Sequence, residues 1–332
     1  MPHVRVAVVG AGGWGTALAK ILHENDLDVL LWCREESVLR SIQERHENDA
    51  FLPEVPLPAG LAVTGELSRS VSGAQIVVLA VPSPYLRPTL AVLKPELGGA
   101  RIVVSAIKGL EETTHLRMSQ VVAEHYPGDV VAISGPTFAR EVALGEPSAL
   151  VAASRSEGAA LEIQERFSTS SFRIYTNDDV VGVELSGALK NVIALAVGVI
   201  TGLGLGHNPV AALITRGLAE ISRLVEAMGG RRETVAGLSG MGDLVLTSTG
   251  HLSRNRRVGI ELGRGRKLPD ILADMNQVAE GIRTTHAAVS LAREFHVDMP
   301  IVFQMERLLR GETTAQDVQQ ELMTRPLKSE RG

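Results

Sequence analysis

Three glycines near the N-terminus constrain this chain more than any other feature. Gly10, Gly12 and Gly15 form a G-x-G-x-x-G in "GAGGWG", directly after the apolar run "VRVAVV" and directly before the helix-like "GTALAKILHEN". The physical need at such a junction is definite. Gly10 makes the tight turn, Gly12 lets the backbone approach a pyrophosphate, and Gly15 lets the helix pack on the strand. Gly13 and Trp14 then hold backbone N–H groups near the same anion, at a helix N-terminus. At random the pattern is weak, but at a first strand-to-helix junction it is strong, and glycines serving only a tight turn are the weaker reading.

The chain that follows fits a dinucleotide-binding fold. Apolar runs at 28–33, 61–65, 75–82, 101–107, 129–134, 148–154 and 172–177 alternate with helical stretches, and a proline-rich loop, "FLPEVPLPAG", interrupts them. Continuous Val/Ile/Leu runs mark strands covered on both faces, as in a parallel sheet flanked by helices, and the crossovers have room for right-handed connections. After Asp178 the strand signals fade and every periodic segment has helical spacing. This predicts an α/β chain, with a Rossmann-type doubly wound sheet domain over 1–178 and an all-α domain over 179–332. At 332 residues, two domains are comfortable.

A net charge of −5 argues against a general nucleic-acid binder. Cys33 is the only cysteine, so no internal disulfide can form and a reducing cytoplasmic interior suits the chain. The N-terminus enters a strand at once, with no signal-peptide pattern. Residues 185–206, "LSGALKNVIALAVGVITGLGLG", are long enough to cross a bilayer. Lys190, Asn191, the glycines and the lack of flanking basic loops favour a buried soluble helix instead. The scattered histidines offer no metal-ligand spacing.

Several polar residues stand out. The second strand ends "LLWCREES", where an acid commonly takes the ribose 2′-hydroxyl of NAD. Arg34 stands there and suits a 2′-phosphate, so NADPH is expected over NADH, although Glu35 or Glu36 could serve as the ribose acid and admit NAD. Lys108 in "AIKGL" and Gly135 and Thr137 in "SGPTFAREV" follow strands on the carboxyl edge, where such domains bind ligands. Lys190 lies in a nearly uncharged helix. Either it is buried with a lowered pKa, ready to exchange a proton, or it snorkels or pairs with a carboxylate such as Glu184; the residues alone divide these readings evenly. Asp243 in "GLSGMGDLVLT" by itself reads as a turn acid. Ser253, Arg254 and Asn255 in "SRNRRVG" are either a helix cap with solvent-facing charge or a phosphate-monoester site built from a hydroxyl, helix amides, an Arg fork and an amide.

Taken in order, "GAGGWGTALA", "FLPEVPLP", "KGLE", "SGPTFARE", "GVELSGALKNVIALAVG", "ALITRGLAEISRL", "GLSGMGDLVLT", "SRNRRVG" and "VAEGIRT" span almost the full length. In this series the chain resembles the bacterial-type NAD(P)-dependent glycerol-3-phosphate dehydrogenases. The resemblance implies a helical domain like that of 6-phosphogluconate dehydrogenase. It also implies reversible reduction of dihydroxyacetone phosphate to sn-glycerol 3-phosphate for phospholipid synthesis. Carried across residue by residue, it makes Lys190 the proton donor and acceptor at C2, and Lys108 a lysine touching both substrate and cofactor. Gly135, Thr137, Asp243, Ser253, Arg254 and Asn255 match substrate-binding positions. Gly13, Trp14, Arg34, Ala139, Val278 and Glu280 match cofactor-binding positions, with Arg254 near both ligands. Gly13 stands where a serine is common, which removes a hydroxyl from the phosphate loop. In "NQVAEGIRTT", Gly281 sits where a lid over the cofactor would bend. The partner implied is a phosphorylated small molecule, with no membrane span, and a homodimer is compatible with the apolar helical half.

Three rivals differ in their residues. Ketopantoate or 3-hydroxyacyl-CoA dehydrogenases share the layout but often use a His–Glu pair, for which no histidine here has an obvious helical setting. A nucleotide-sensing module has no use for Lys190, Asp243 and "SRNRR" together. A membrane-embedded protein is disfavoured by the reasons above.

Overall fold

The computed structural model describes residues 4–275, 279–327, 329 and 330. Ten strands fall in the first half: β1 (Arg5–Val9), β2 (Asp28–Trp32), β3 (Glu47–Asn48), β4 (Leu52–Pro56), β5 (Ala62–Thr64), β6 (Ile76–Leu79), β7 (Ile102–Ser105), β8 (Asp129–Ser134), β9 (Ser148–Ala153) and β10 (Phe172–Asn177). Eight of them make one sheet in the order β10-β9-β8-β7-β6-β1-β2-β5. From β5 through β8 the neighbours run parallel. The strand order reverses direction between β1 and β6, and the crevice at the carboxyl ends of these strands is where such sheets bind ligands. Strands β6 and β7 are buried throughout, "IVVL" and "IVVS", as strands covered by helices on both faces must be.

Two details depart from the sequence reading. Strand β9 runs antiparallel to β8, with Ser134 opposite Val151, and β10 then runs parallel to β9. The connection from 135 to 147 carries only a short helix, Ala139–Ala143. It therefore turns back on the edge where β8 ends, which leaves Gly135 and Thr137 at the ligand crevice. The proline-rich stretch is also more than a loop. It holds β4, paired antiparallel with β3. Asn48 of this ribbon donates to the Ala11 carbonyl at 2.8 Å and to Thr16 Oγ1 at 2.8 Å, pinning it to the glycine turn.

Strand β10 ends at Asn177 and the helix Val180–Gly202 follows. Asp179 caps it, accepting from the Gly182 and Arg231 amides at 2.8 and 2.7 Å. This helix has the length and mean hydropathy (1.7) of a membrane span, yet its most apolar window is wholly buried inside the protein. The helices His207–Ala227, Asp243–Thr249, Arg254–Gly263, Glu280–Glu294 and Pro300–Leu309 pack against it. Hydrophobic burial therefore centres on one helix, and each fully buried Leu, Ile or Val contributes about 1.5–3 kcal/mol.

The tightest seam in this half is made of glycines. Gly198 and Gly202 of the central helix face Gly259 and Gly263 of the Arg254–Gly263 helix. A Cβ on Gly259 would meet the Leu195 carbonyl and lie 2.8 Å from Gly198 Cα. Both obstacles are backbone, so neither can swing away. A Gly259→Ala substitution should therefore lower unfolding free energy by about 1–3 kcal/mol, measured by denaturant titration. An unchanged midpoint would show that the seam is looser than it looks.

Candidate active site

The crevice is built where β7 and β8 end and the central helix passes beneath them. Gly187 makes the approach possible: a Cβ there would stand 2.5 Å from Ser134 Oγ and 4.0 Å from Lys108 Cγ. One turn further along, Lys190 is 5 % exposed. Its Nζ donates to Asp243 Oδ1 at 3.0 Å and to Thr247 Oγ1 at 2.6 Å. Lys108 comes from the sheet side and donates to Asp243 Oδ2 at 2.7 Å, to the Gly135 carbonyl at 2.7 Å and to Thr137 Oγ1 at 3.3 Å. One buried carboxylate thus joins two ammonium groups from the two halves of the chain.

The position of Asp243 depends on an irregular turn. Leu238–Gly242 forms a single π-helical turn, and Asp243 opens the regular helix Asp243–Thr249 directly after it. Such wide turns re-aim the following residue and recur at functional sites. Asp243 is 1 % exposed and paired with two lysines, so it is more than the turn acid that its glycine surroundings suggested. Nor does Lys190 pair with Glu184, which faces Arg117 and Ser119 instead.

The charges are mutually dependent. Burial pushes the Lys190 ammonium down to about 8, the Asp243 carboxylate opposes that fall, and Lys108 adds to it. Burial pushes the Asp243 carboxyl up, but the two lysines outweigh it and hold it below its ordinary value. An amine near 8 is poised to give and take a proton near neutral pH.

The second group of residues lies at the N-terminus of the Arg254–Gly263 helix. Ser253 caps this helix, its Oγ accepting from the Arg256 amide at 3.2 Å. Arg254 is exposed, and its charge acts on Glu280, whose carboxyl is raised chiefly by loss of water, with Arg254 pulling it back. Asn255 is buried and largely committed: Nδ2 donates to Asn191 Oδ1 at 2.9 Å and Oδ1 accepts from the Gly281 amide at 2.9 Å. One Nδ2 hydrogen is left over. Gly281 lies inside the Glu280–Glu294 helix, and a Cβ there would stand 2.7 Å from the Asn191 carbonyl. It is a close-packing glycine rather than the bend of a lid.

The cofactor positions cluster around the glycine turn. Gly10 has φ +117°, a conformation L side chains avoid. The helix Gly13–Glu24 begins with no side-chain cap and no acid in its first turn, and nothing lies within 4 Å of where a Gly12 Cβ would be. These bare amides and this open cradle fit a pyrophosphate. A Cβ at Gly13 would stand 2.7 Å from the Phe51 carbonyl and 3.7 Å from Ala139 Cβ, so the glycine there has a steric reason. Trp14 packs near Phe172, with ring centroids 6.4 Å apart, and its buried Nε1 has no hydrogen-bond partner among the described residues. Arg34 is exposed at the end of β2, bonded by Glu35 Oε1 at 2.9 and 2.5 Å, with its guanidinium 5.2 Å from the Tyr85 ring centroid. Cys33 is buried, and burial followed by Glu35 pushes its thiol up to about 12. Val278 lies outside the described residues. Among the described residues no cluster of three or more His, Cys, Asp or Glu is placed to hold a metal ion.

Sequence reasoning missed Thr247 and Asn191. Thr247 stands four residues after Asp243, one helical turn away and on the same face, a spacing that was available to read. Asn191 adjoins Lys190 but is distinguished only by its partners in space. One test follows from the charge arrangement. Asp243→Asn removes the anion that does most to hold the Lys190 proton in place, while Lys108 still repels it. Where the Lys190 proton controls turnover, the alkaline limb of the kcat–pH profile should move down by about one unit or more. A limb left where it was would detach that limb from this lysine.

Comparison with known proteins agrees with this geometry. A family model described as "NAD-dependent glycerol-3-phosphate dehydrogenase N-terminus" matches residues 5–160, and its C-terminus counterpart matches residues 179–320. The chain is 53 % identical over 332 residues to a Koribacter versatilis protein named glycerol-3-phosphate dehydrogenase [NAD(P)+], covering 98 % of each. It is 50 % identical to the Geobacter sulfurreducens protein of the same name, covering 98 % of this chain and 99 % of that one. The crystal structure of glycerol-3-phosphate dehydrogenase from Coxiella burnetii superposes with a TM-score of 0.93 at 38 % identity, covering 97 % of this chain and 99 % of that one. With its nucleotide turn, its two-lysine bridge and these relatives along its whole length, the chain belongs to the NAD(P)-dependent glycerol-3-phosphate dehydrogenase family.

Proposed function

We propose that this dehydrogenase uses Lys190 as its proton donor and acceptor and NADPH as its preferred cofactor. The reaction is the reduction of dihydroxyacetone phosphate to glycerol 3-phosphate by NAD(P)H. The observation that carries the catalytic assignment is the buried bridge Lys108–Asp243–Lys190. It puts two positive charges and one movable proton at the carboxyl edge of the sheet.

The nicotinamide cofactor, when bound, supplies the hydride for C2. The rest is done by side chains. Negative charge that builds on the C2 oxygen is met by the Lys190 and Lys108 ammonium groups, and Lys190 gives it a proton. Asp243 keeps both amines aimed and Lys190 charged until that moment. Ser253, Arg254 and the remaining Asn255 hydrogen take the substrate phosphate at the helix N-terminus. Lys108, held by Gly135 and Thr137, reaches both ligands. The Gly10–Gly15 turn beside Ala139 would hold the pyrophosphate, and Glu280 would serve the cofactor from the helical half. Arg34, turned from Glu35, takes the 2′-phosphate of NADPH. We further read the enzyme as a cytoplasmic supplier of phospholipid synthesis, with the apolar helical half supporting a homodimer.

The decisive assay follows NADPH absorbance with dihydroxyacetone phosphate and with unphosphorylated dihydroxyacetone. Turnover should require the phosphate, and equal rates with both ketones would refute the phosphate site. Arg254→Ala should raise KM for dihydroxyacetone phosphate roughly 10–100-fold, the scale of a lost charge-assisted hydrogen bond. Arg34→Ala should raise KM for NADPH on the same order and leave KM for NADH nearly untouched; a wild-type enzyme that clearly prefers NADH would remove the role of Arg34.

A further inference from the structure

Lys108 begins a loop that closes on itself before the chain moves on. Leu110 and Arg117 pair as an antiparallel bridge, and the Glu111 amide donates to the Leu116 carbonyl at 2.9 Å. Arg117, at the far foot of this loop, is 7 % exposed and stands at the N-cap of the helix Met118–Ala123. Its partner comes from the other half of the molecule. Glu184 of the central helix, 6 % exposed, accepts from Arg117 Nη1 at 2.6 Å, from the Ser119 amide at 2.8 Å and from Ser119 Oγ at 2.5 Å. Arg117 Nη1 also donates to Ser119 Oγ at 2.9 Å, closing the cluster.

A buried ion pair is a poor way to gain stability, because desolvating both charges costs about as much as their attraction returns. Its value here is geometric. Lys190 lies six residues beyond Glu184 on the same helix, about 9 Å along the axis. The bridge through Asp243 is one polar attachment between the two lysines' elements, beside the apolar packing of Leu110 against the helix. The Glu184 cluster is a second, directional attachment on the same helix, at the far foot of the same loop. A third polar tie to this loop from the helical half, Arg283 to Glu112 at 3.1 Å, is exposed on both sides and is weak by comparison.

We infer that Glu184 is a positioning residue for proton transfer: clamped by Arg117 and Ser119, it holds the Lys190 helix in register with the loop that starts at Lys108. This rests on the reading of Lys190 as the proton donor. The clamp acts on the geometry of the two amines and not on the nucleotide turn, so its loss separates kcat from cofactor affinity.

The test uses the full-length enzyme. Glu184→Gln should lower kcat for dihydroxyacetone phosphate reduction about tenfold or more, since small displacements of reacting groups carry large rate penalties. The NADPH dissociation constant, from fluorescence titration, should stay within about twofold, and the alkaline limb of the kcat–pH profile should shift. Ser119→Ala removes the hydroxyl donor to Glu184 without stranding a charge, and should shift kcat and the limb in the same direction by a smaller factor. If Glu184→Gln does not fold, Ser119→Ala decides. Arg283→Ala, which breaks the exposed tie, should leave kcat unchanged. The inference is overturned by wild-type kcat and pH profile in Glu184→Gln or, where that variant is unfolded, in Ser119→Ala. It is overturned equally by a kcat loss that only tracks the unfolded fraction, or by Arg283→Ala losing as much as Glu184→Gln. Lys190→Ala serves as the reference. An inactive Lys190→Ala beside a fully active Glu184→Gln sinks this inference alone, whereas an active Lys190→Ala sinks the proton-donor reading and the clamp with it.

Discussion

The structure turns on one carboxylate that has almost no access to water. Asp243 lies between the Lys190 and Lys108 ammonium groups at 3.0 and 2.7 Å, and it is 1 % exposed. Away from water an isolated carboxylate would take up a proton, and an isolated lysine would lose one. Held together, each keeps the other charged, and the cluster retains one more positive than negative charge. On the proposed assignment, that excess meets the negative charge that builds on the carbonyl oxygen. The same arrangement brings the lysine amine toward neutral pH, so a structural necessity and a chemical one are met by the same atoms.

Everything nearby serves to bring those three groups from three different chain segments into contact. Strand β7 delivers Lys108 to the carboxyl edge of the sheet, where the connection out of β8 supplies its carbonyl and hydroxyl partners. The central helix carries Lys190 beneath that edge because Gly187 leaves room for Ser134 and the stem of Lys108. The π-helical turn before Asp243 brings its side chain inward. The glycine seam against Gly259 and Gly263 draws in the helix that begins with Ser253, Arg254 and Asn255. A wider seam would separate the Ser253 end of that helix from the amines. The Asn191–Asn255–Gly281 contacts then fasten a third helix at the same corner.

Much of this was readable from residue order. The strand-to-helix glycine turn, the continuously apolar strands and the change to helical spacing after Asp178 each reflect local physics: backbone conformations open to glycine, side chains covered on two faces, and a period near 3.6. Local order was a poor guide wherever a partner distant in sequence decides the matter. The antiparallel entry of β9 depends on which sheet edge a short connection returns to, and an apolar run looks alike in either direction. Glu184 is near Lys190 along the helix, yet its charge is claimed by Arg117, 67 residues earlier. Gly281 resembles a hinge until Asn255 and Asn191 are seen against it. Thr247 was within reach of a one-turn spacing argument from Asp243, but the value of that turn is apparent only once Asp243 is known to be buried.

The linear chain by itself determined the architecture's class, the nucleotide turn and the identity of the charged residues, because propensity and periodicity act between neighbours a few positions apart. Only the tertiary structure decided which of those charges lose their water and which partners they then acquire. Burial and pairing are sums over atoms from distant segments. A lysine that snorkels and a lysine with its proton loosened to about 8 are the same letter until the helices close around it.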